Sequence, residues 1–203
     1  PLRCVWCHNP ESWELQPQMM FFEEPKIVGR EMTVEEILKE VKADQSYYRT
    51  SGGGITISGG EPMLQFGFLK ELLEAAKKEE LHVCIETSGF ADQDQFAAIY
   101  QMVDLFLFDI KQLDSDKHRK YTGVSNQRIL SNLDFLYGKG AKIQLRCPMI
   151  PGVNDAREDR IRIEELSRQY PDLEGVEFLP YHDMGKGKWE ALGKECPYKG
   201  VVE

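Results

Sequence analysis

The sequence predicts an α/β fold, a barrel of parallel strands or an open portion of one, and three observations lead to it. Short β-branched or aromatic runs alternate with longer helical patterns through the middle of the chain, the rhythm of parallel βα units. Polar residues stand just past the ends of those runs: Glu61, Glu86 with Thr87, Asp109 with Lys111, Arg146, and His182. In parallel α/β folds the carboxyl ends of the strands form the active face, so such groups converge there. Finally, 203 residues suffice for one sizeable core and are short for two, so a single domain over residues 1–203 is expected.

Taken in order, the predicted strands are Ile55 to Ser58, His82 to Thr87, Leu105 to Lys111, Lys142 to Pro148 and Val176 to Pro180, each short and mostly apolar. Helical patterns begin near Thr33, Gln65, Asp92, Asn126 and Asp155, with apolar residues three and four apart, as at Ile37, Leu38 and Val41. Thr33 followed by Glu36 is a capping box, in which hydroxyl and carboxylate satisfy free backbone N–H groups reciprocally. Glu24-Pro25-Lys26 reads as a loop or insertion point.

A formal net charge of -9 argues against broad binding to nucleic acid or to an anionic membrane, both of which favour a basic footprint. No apolar run approaches the length of a membrane span and no leader pattern opens the chain, so a cytoplasmic location is expected. Five cysteines, an odd and scattered set, do not form the dense disulfide framework of a small secreted domain. Reduced thiols or metal ligands are expected instead.

Cys4 and Cys7 form a C-x2-C pair in a turn-like segment. Alone, such a pair fits zinc, a redox disulfide or iron-sulfur. Ser58-Gly59-Gly60-Glu61-Pro62 follows an apolar strand: its glycines let backbone approach a ligand and its carboxylate can accept from an ammonium, although a plain Gly-rich turn has the same composition. Gly52-Gly53-Gly54 reads as a flexible entry to the strand, and the segment lacks the Lys-Ser or Lys-Thr ending of a P-loop. Cys84 and Cys147 lie within apolar runs as small buried hydrophobes.

Arg3-Cys4-Val5-Trp6-Cys7-His8-Asn9-Pro10 together with Ser58 to Pro62 resembles the radical S-adenosylmethionine enzymes, whose cluster motif is C-x3-C-x2-C with an aromatic residue before the last cysteine. Trp6 takes that aromatic place, and the first cysteine falls immediately before Pro1, outside this sequence. The resemblance implies that the first strand of a (βα)6 TIM-like partial barrel is likewise lacking from this chain. It narrows to the glycyl radical enzyme activases of the pyruvate formate-lyase activating type through Ser51 to Pro62, Glu86-Thr87-Ser88-Gly89-Phe90, Asp109-Ile110-Lys111-Gln112, Gly123-Val124-Ser125-Asn126 and Tyr181 through Trp189.

The resemblance implies an oxidoreductase holding a 4Fe-4S cluster and S-adenosylmethionine. Reductive cleavage of the latter gives a 5'-deoxyadenosyl radical that takes hydrogen from a glycine of a partner enzyme. Cys4 and Cys7 would be cluster ligands; Trp6, Gly59, Gly60 and Glu61 would face the cofactor, with Gly60 and Glu61 on its ammonium. Lys111 and His182 would form the catalytic pair near its methionyl end, and Arg146 would orient it.

A monovalent cation is implied beside the cofactor at Glu86, Thr87, Leu107 and Asp109, with Glu86 where the family has Asp. Several activases carry a cysteine-rich ferredoxin-like insert with additional 4Fe-4S clusters after a stretch like Met19-Met20-Phe21-Phe22, which would enter between Glu24 and Pro25. Implied partners are a glycyl radical enzyme and flavodoxin or ferredoxin as electron donor, with no nucleic acid and no membrane. Two other readings share part of these residues: a radical S-adenosylmethionine enzyme acting on a small molecule, and a non-catalytic zinc or thiol module built on Cys4 and Cys7.

Overall fold

The computed structural model describes residues 2–200. A short hairpin comes first, β1 (Gln18–Phe21) antiparallel to β2 (Pro25–Val28). Then come α1 (Val34–Lys42), α2 (Gln45–Ser51), β3 (Gly54–Ile57), α3 (Phe66–Lys78), β4 (His82–Thr87), α4 (Gln93–Ile99) and β5 (Leu105–Asp109). The remainder is α5 (Ser115–Thr122), α6 (Gln127–Gly138), β6 (Ile143–Met149), α7 (Arg157–Arg168), β7 (Gly175–Pro180) and α8 (Lys186–Ala191). β3 to β7 form one parallel sheet in sequence order, each strand returning beside its predecessor after a helical crossover. This is a partial barrel wall, and all five predicted strands lie in it.

Register explains how one sheet serves two purposes. Val83, Ile85, Phe106, Phe108, Ile143, Leu145 and Cys147 are fully buried against the helix layer, where Leu69, Leu73, Phe96, Ile99, Leu133 and Leu136 meet them. The alternate positions, Glu86, Leu107, Asp109, Arg146 and Glu177, are only partly covered or exposed and leave the sheet on its other face, because successive side chains of a strand point opposite ways. Cys147 is the buried small hydrophobe its run predicts, whereas Cys84 is only partly buried and its thiol faces His82 Nδ1 at 3.8 Å.

The helices start where local chemistry says they should. Thr33 Oγ1 accepts from the Glu36 N–H at 3.2 Å and Glu36 Oε2 accepts from the Thr33 N–H at 2.7 Å, which completes the predicted capping box. Asp92 and Asn126 occupy the N-cap positions of α4 and α6. The sequence reading had no helix at α2, α5 or α8. α5 carries the polar sequence SDKHRKYT and buries only His118 and Thr122, so it has no apolar stripe to read; Asp114 starts it by accepting from the Asp116 and Lys117 N–H groups. The hairpin was also missed: Met20 alone among its strand residues is fully buried, and residues 22–24, beside the predicted insertion point, form its turn.

Candidate functional site

At the carboxyl ends of the strands lies a cleft of about 570 Å³. The predicted residues Cys4, Trp6, Cys7, Gly59, Gly60, Glu61, Glu86, Thr87, Asp109, Lys111, Arg146 and His182 all line it. Leu107 is not among the lining residues. Ser88, Ser12 and Trp13, which no sequence pattern singled out as site residues, join them. They approach from separate stretches of chain and carry no spacing that a linear reading could detect.

The cysteine segment is stitched to the barrel by main-chain bonds. The Arg3 N–H donates to Thr122 O at 2.7 Å and the Val5 N–H to Tyr121 O at 3.0 Å, so the C-terminal end of α5 fixes the strand-like entry to Cys4. The Cys7 N–H then donates to Cys4 O at 3.0 Å, a tight turn that sets both thiols on one loop. Trp6 is buried against Tyr121. Burial pushes the Cys4 thiol up to about 11 and also raises Cys7. The Asn9 N–H, the Trp13 indole and the Lys111 ammonium oppose the rise at Cys7.

A second clamp comes from residues 181–189. The Trp189 indole N–H donates to Cys7 O at 2.9 Å, and Lys188 Nζ donates to Asn9 Oδ1 at 2.7 Å and Glu11 Oε1 at 2.6 Å. His182 stacks on His8 with ring centroids 4.2 Å apart, and His8 Nε2 donates to His182 O at 2.8 Å. Gly185 is glycine for a reason of space: a Cβ there would stand 2.8 Å from His8 Cα. Gly60 is pressed in the same way by Ser12 O, 2.8 Å from where its Cβ would be.

Glu61 sits at the start of the short helix after β3 and accepts on both oxygens. Thr87 Oγ1–H donates to Oε1 at 2.7 Å and the Met63 N–H at 3.3 Å; the Ser88 N–H donates to Oε2 at 2.9 Å, and the Ser88 hydroxyl adds a further short bond. Four donors fill the carboxylate's acceptor positions. The loop after β3 is thereby tied to the loop after β4, with the Ser58–Gly60 backbone held at the cleft wall.

Deeper charges are paired. Lys111 Nζ donates to Asp109 Oδ2 at 2.7 Å, both largely buried. Burial alone would lower the Lys111 ammonium, but Asp109, Cys4 and Cys7 outweigh it and hold Lys111 firmly protonated. Asn154, buried, donates to Lys111 O and Pro148 O, each at 2.7 Å, and accepts from the Ile150 N–H at 2.6 Å. It fixes the backbone that presents the lysine. Arg146 is ion-paired with Glu86, and its Nε donates to Glu177 Oε2 at 3.2 Å.

These residues fit one implied set and not another. Two soft sulfur ligands on one loop, an electropositive lysine beside them, and a polar cleft wall of exposed glycine backbone suit an iron-sulfur site with a zwitterionic ligand. Among the described residues, no group of three or more His, Cys, Asp and Glu side chains is placed to hold a metal ion. The implied monovalent-cation set does not converge: Glu86 and Asp109 each turn to a fixed cation, Thr87 Oγ1 serves Glu61 and the Gly89 N–H, and Leu107 stays off the cleft.

The radical SAM superfamily model matches residues 1–163. The chain is 36% identical over 202 residues to pyruvate formate-lyase 1-activating enzyme of Escherichia coli K12, covering 98% of this chain and 78% of that protein. It is 34% identical over 251 residues to the choline trimethylamine-lyase activating enzyme of Oleidesulfovibrio alaskensis, covering 98% and 81%. Among solved structures, a domain of a pyruvate-formate lyase-activating enzyme from Bacteroides vulgatus superposes with a TM-score of 0.60 at 27% identity, covering 70% of this chain and 93% of that one.

Proposed function

Because the chain belongs to the radical SAM superfamily, and within it to the glycyl radical enzyme activating enzymes, we propose that its cleft generates a radical on a glycine of a partner enzyme. The observation that carries this reading is the convergence of Cys4, Cys7, Glu61, Lys111, Arg146 and His182 on one cleft in a chain related over nearly its whole length to such activators. When bound, the 4Fe-4S cluster and S-adenosylmethionine supply the reductive chemistry that ends in hydrogen abstraction.

The protein's own residues do the holding. Cys4 and Cys7 are the cluster thiolates this chain contributes. The Ser58–Gly60 carbonyls face the cofactor's ammonium, while Glu61, bound by four donors, keeps that backbone in place. Lys111 and His182 meet the methionyl end, Lys111 as a permanent positive charge for a carboxylate. Trp6 and Trp13 shield the sulfur ligands from solvent, which strengthens every charge interaction inside. Residues 1–203 act as one barrel domain, and a ferredoxin-like module with further clusters, where a relative carries one, would enter at the turn between Glu24 and Pro25. A small flavodoxin or ferredoxin is the fitting electron donor, in the cytoplasm. Among the described residues no helix is long and apolar enough to cross a membrane.

Isotope transfer tests the assignment. A candidate partner enzyme is prepared with α-deuterated glycine and incubated anaerobically with reduced protein and S-adenosylmethionine. Deuterium recovered in 5'-deoxyadenosine is the expected result. Cleavage that draws hydrogen only from an added small molecule would overturn the protein-substrate reading.

A further inference from the structure

Arg146 stands in a row of acidic side chains. In the strand register it is opposite Asp109 on β5 and Glu177 on β7, so the three leave the sheet on one face. Its guanidinium reaches past β5 to Glu86 on β4 and its Nε donates to Glu177. The Arg146 to Glu86 pair therefore spans two inter-strand spacings, about 9.5 Å of sheet, which two long side chains can bridge together. An aspartate at position 86 would be one methylene shorter.

Every acceptor that a small cation would need in this corner is already committed. The second Glu86 oxygen accepts from Ser58 Oγ–H at 2.6 Å, Asp109 is matched by Lys111 at 2.7 Å, and Thr87 Oγ1 donates to Glu61 while accepting from the Gly89 N–H at 3.0 Å. A hard cation requires several oxygens converging on one point. A free ion would have to displace two tethered cations, whose positive charge comes without the entropy cost of capture.

We propose that Arg146 is the resident cation of the cleft, bridging Glu86 and Glu177, so that cofactor binding here requires no monovalent metal ion. Arg146 acts as a positioning residue in this role: it neutralises and fixes Glu86, which in turn holds Ser58 at the edge of the glycine segment. The inference rests on S-adenosylmethionine being the ligand of the cleft, as proposed above.

The test is calorimetric titration of S-adenosylmethionine into the anaerobically reconstituted full-length protein, in potassium, sodium and tetramethylammonium chloride at equal ionic strength. The dissociation constants are expected to agree within about twofold, while Glu86→Asp, too short to hold Arg146 across β5, is expected to bind about tenfold more weakly in tetramethylammonium than in potassium. A wild-type protein that loses about tenfold in tetramethylammonium and regains it with potassium or sodium overturns the proposal. Insensitivity of both proteins also overturns it, because the Arg146 to Glu86 pair would then not be what removes the requirement. Absence of binding in all three salts instead defeats the cofactor assignment, and this inference falls with it.

Discussion

At the scale of single residues, the site is a set of groups whose partners decide their roles. Cys4→Ala or Cys7→Ala is expected to abolish the iron-sulfur absorption and S-adenosylmethionine cleavage while leaving the barrel's circular dichroism unchanged, since the loop is held by main-chain bonds from α5 and not by the thiols. Glu61→Ala is expected to act twice. It strands the Thr87, Ser88 and Met63 donors, costing about 1–3 kcal/mol of unfolding free energy in urea titration, and it loosens the glycine segment, weakening cofactor binding in calorimetry. A protein of unchanged stability that binds more weakly would mean that Glu61 contacts the ligand and does not brace the wall. The sequence brought Glu61 to the cleft because a carboxylate after a strand and two glycines is a local pattern. Its partner Ser88 was not recognised, because that bond is made across 27 positions of chain and nothing in either segment alone reports it.

At the scale of elements, the parallel strands were readable because each is an apolar run with period-2 burial, and β4 was placed at its observed ends, His82–Thr87. α5 was not, although it carries the cysteine loop: its polar sequence is shaped by caps and by His118, whose ring Nδ1–H donates to Val124 O at 2.6 Å, and not by an apolar stripe. The segment from Tyr181 to Trp189 was legible as a motif but not as a clamp, since its contacts run to Cys7, His8 and Asn9 at the other end of the chain. Gly185→Ala tests that clamp. Its Cβ would crowd the His8 backbone, and about tenfold weaker cluster retention against a chelator is expected, with α8 itself intact by circular dichroism because its φ of -72° suits any residue.

At the scale of the whole molecule, five parallel strands in sequence order present one face to a helix layer and the other to the chemistry, and stability and function divide along that line. Asp104, at the foot of β5 and far along the sheet from the cleft, joins α3, β4 and β5 by accepting from the Val83 N–H at 2.8 Å and Lys77 Nζ at 3.1 Å. Partial burial opposes its ionisation, but those two donors win and its carboxyl is lowered. A lowered carboxyl adds stability above its unfolded value of about 3.9 and loses it as pH falls through the folded value. Asp104→Asn is therefore expected to lower the melting temperature at neutral pH and to match the parent protein in strong acid, without altering cofactor affinity.

The central claim, that this cleft makes a glycyl radical on a partner protein, is tested most directly by electron paramagnetic resonance. The full-length protein, anaerobic and reduced, is mixed with S-adenosylmethionine and a candidate glycyl radical enzyme. The account predicts a cluster signal that gives way to a glycine-centred doublet on the partner. No cluster signal after verified reconstitution and reduction would contradict it.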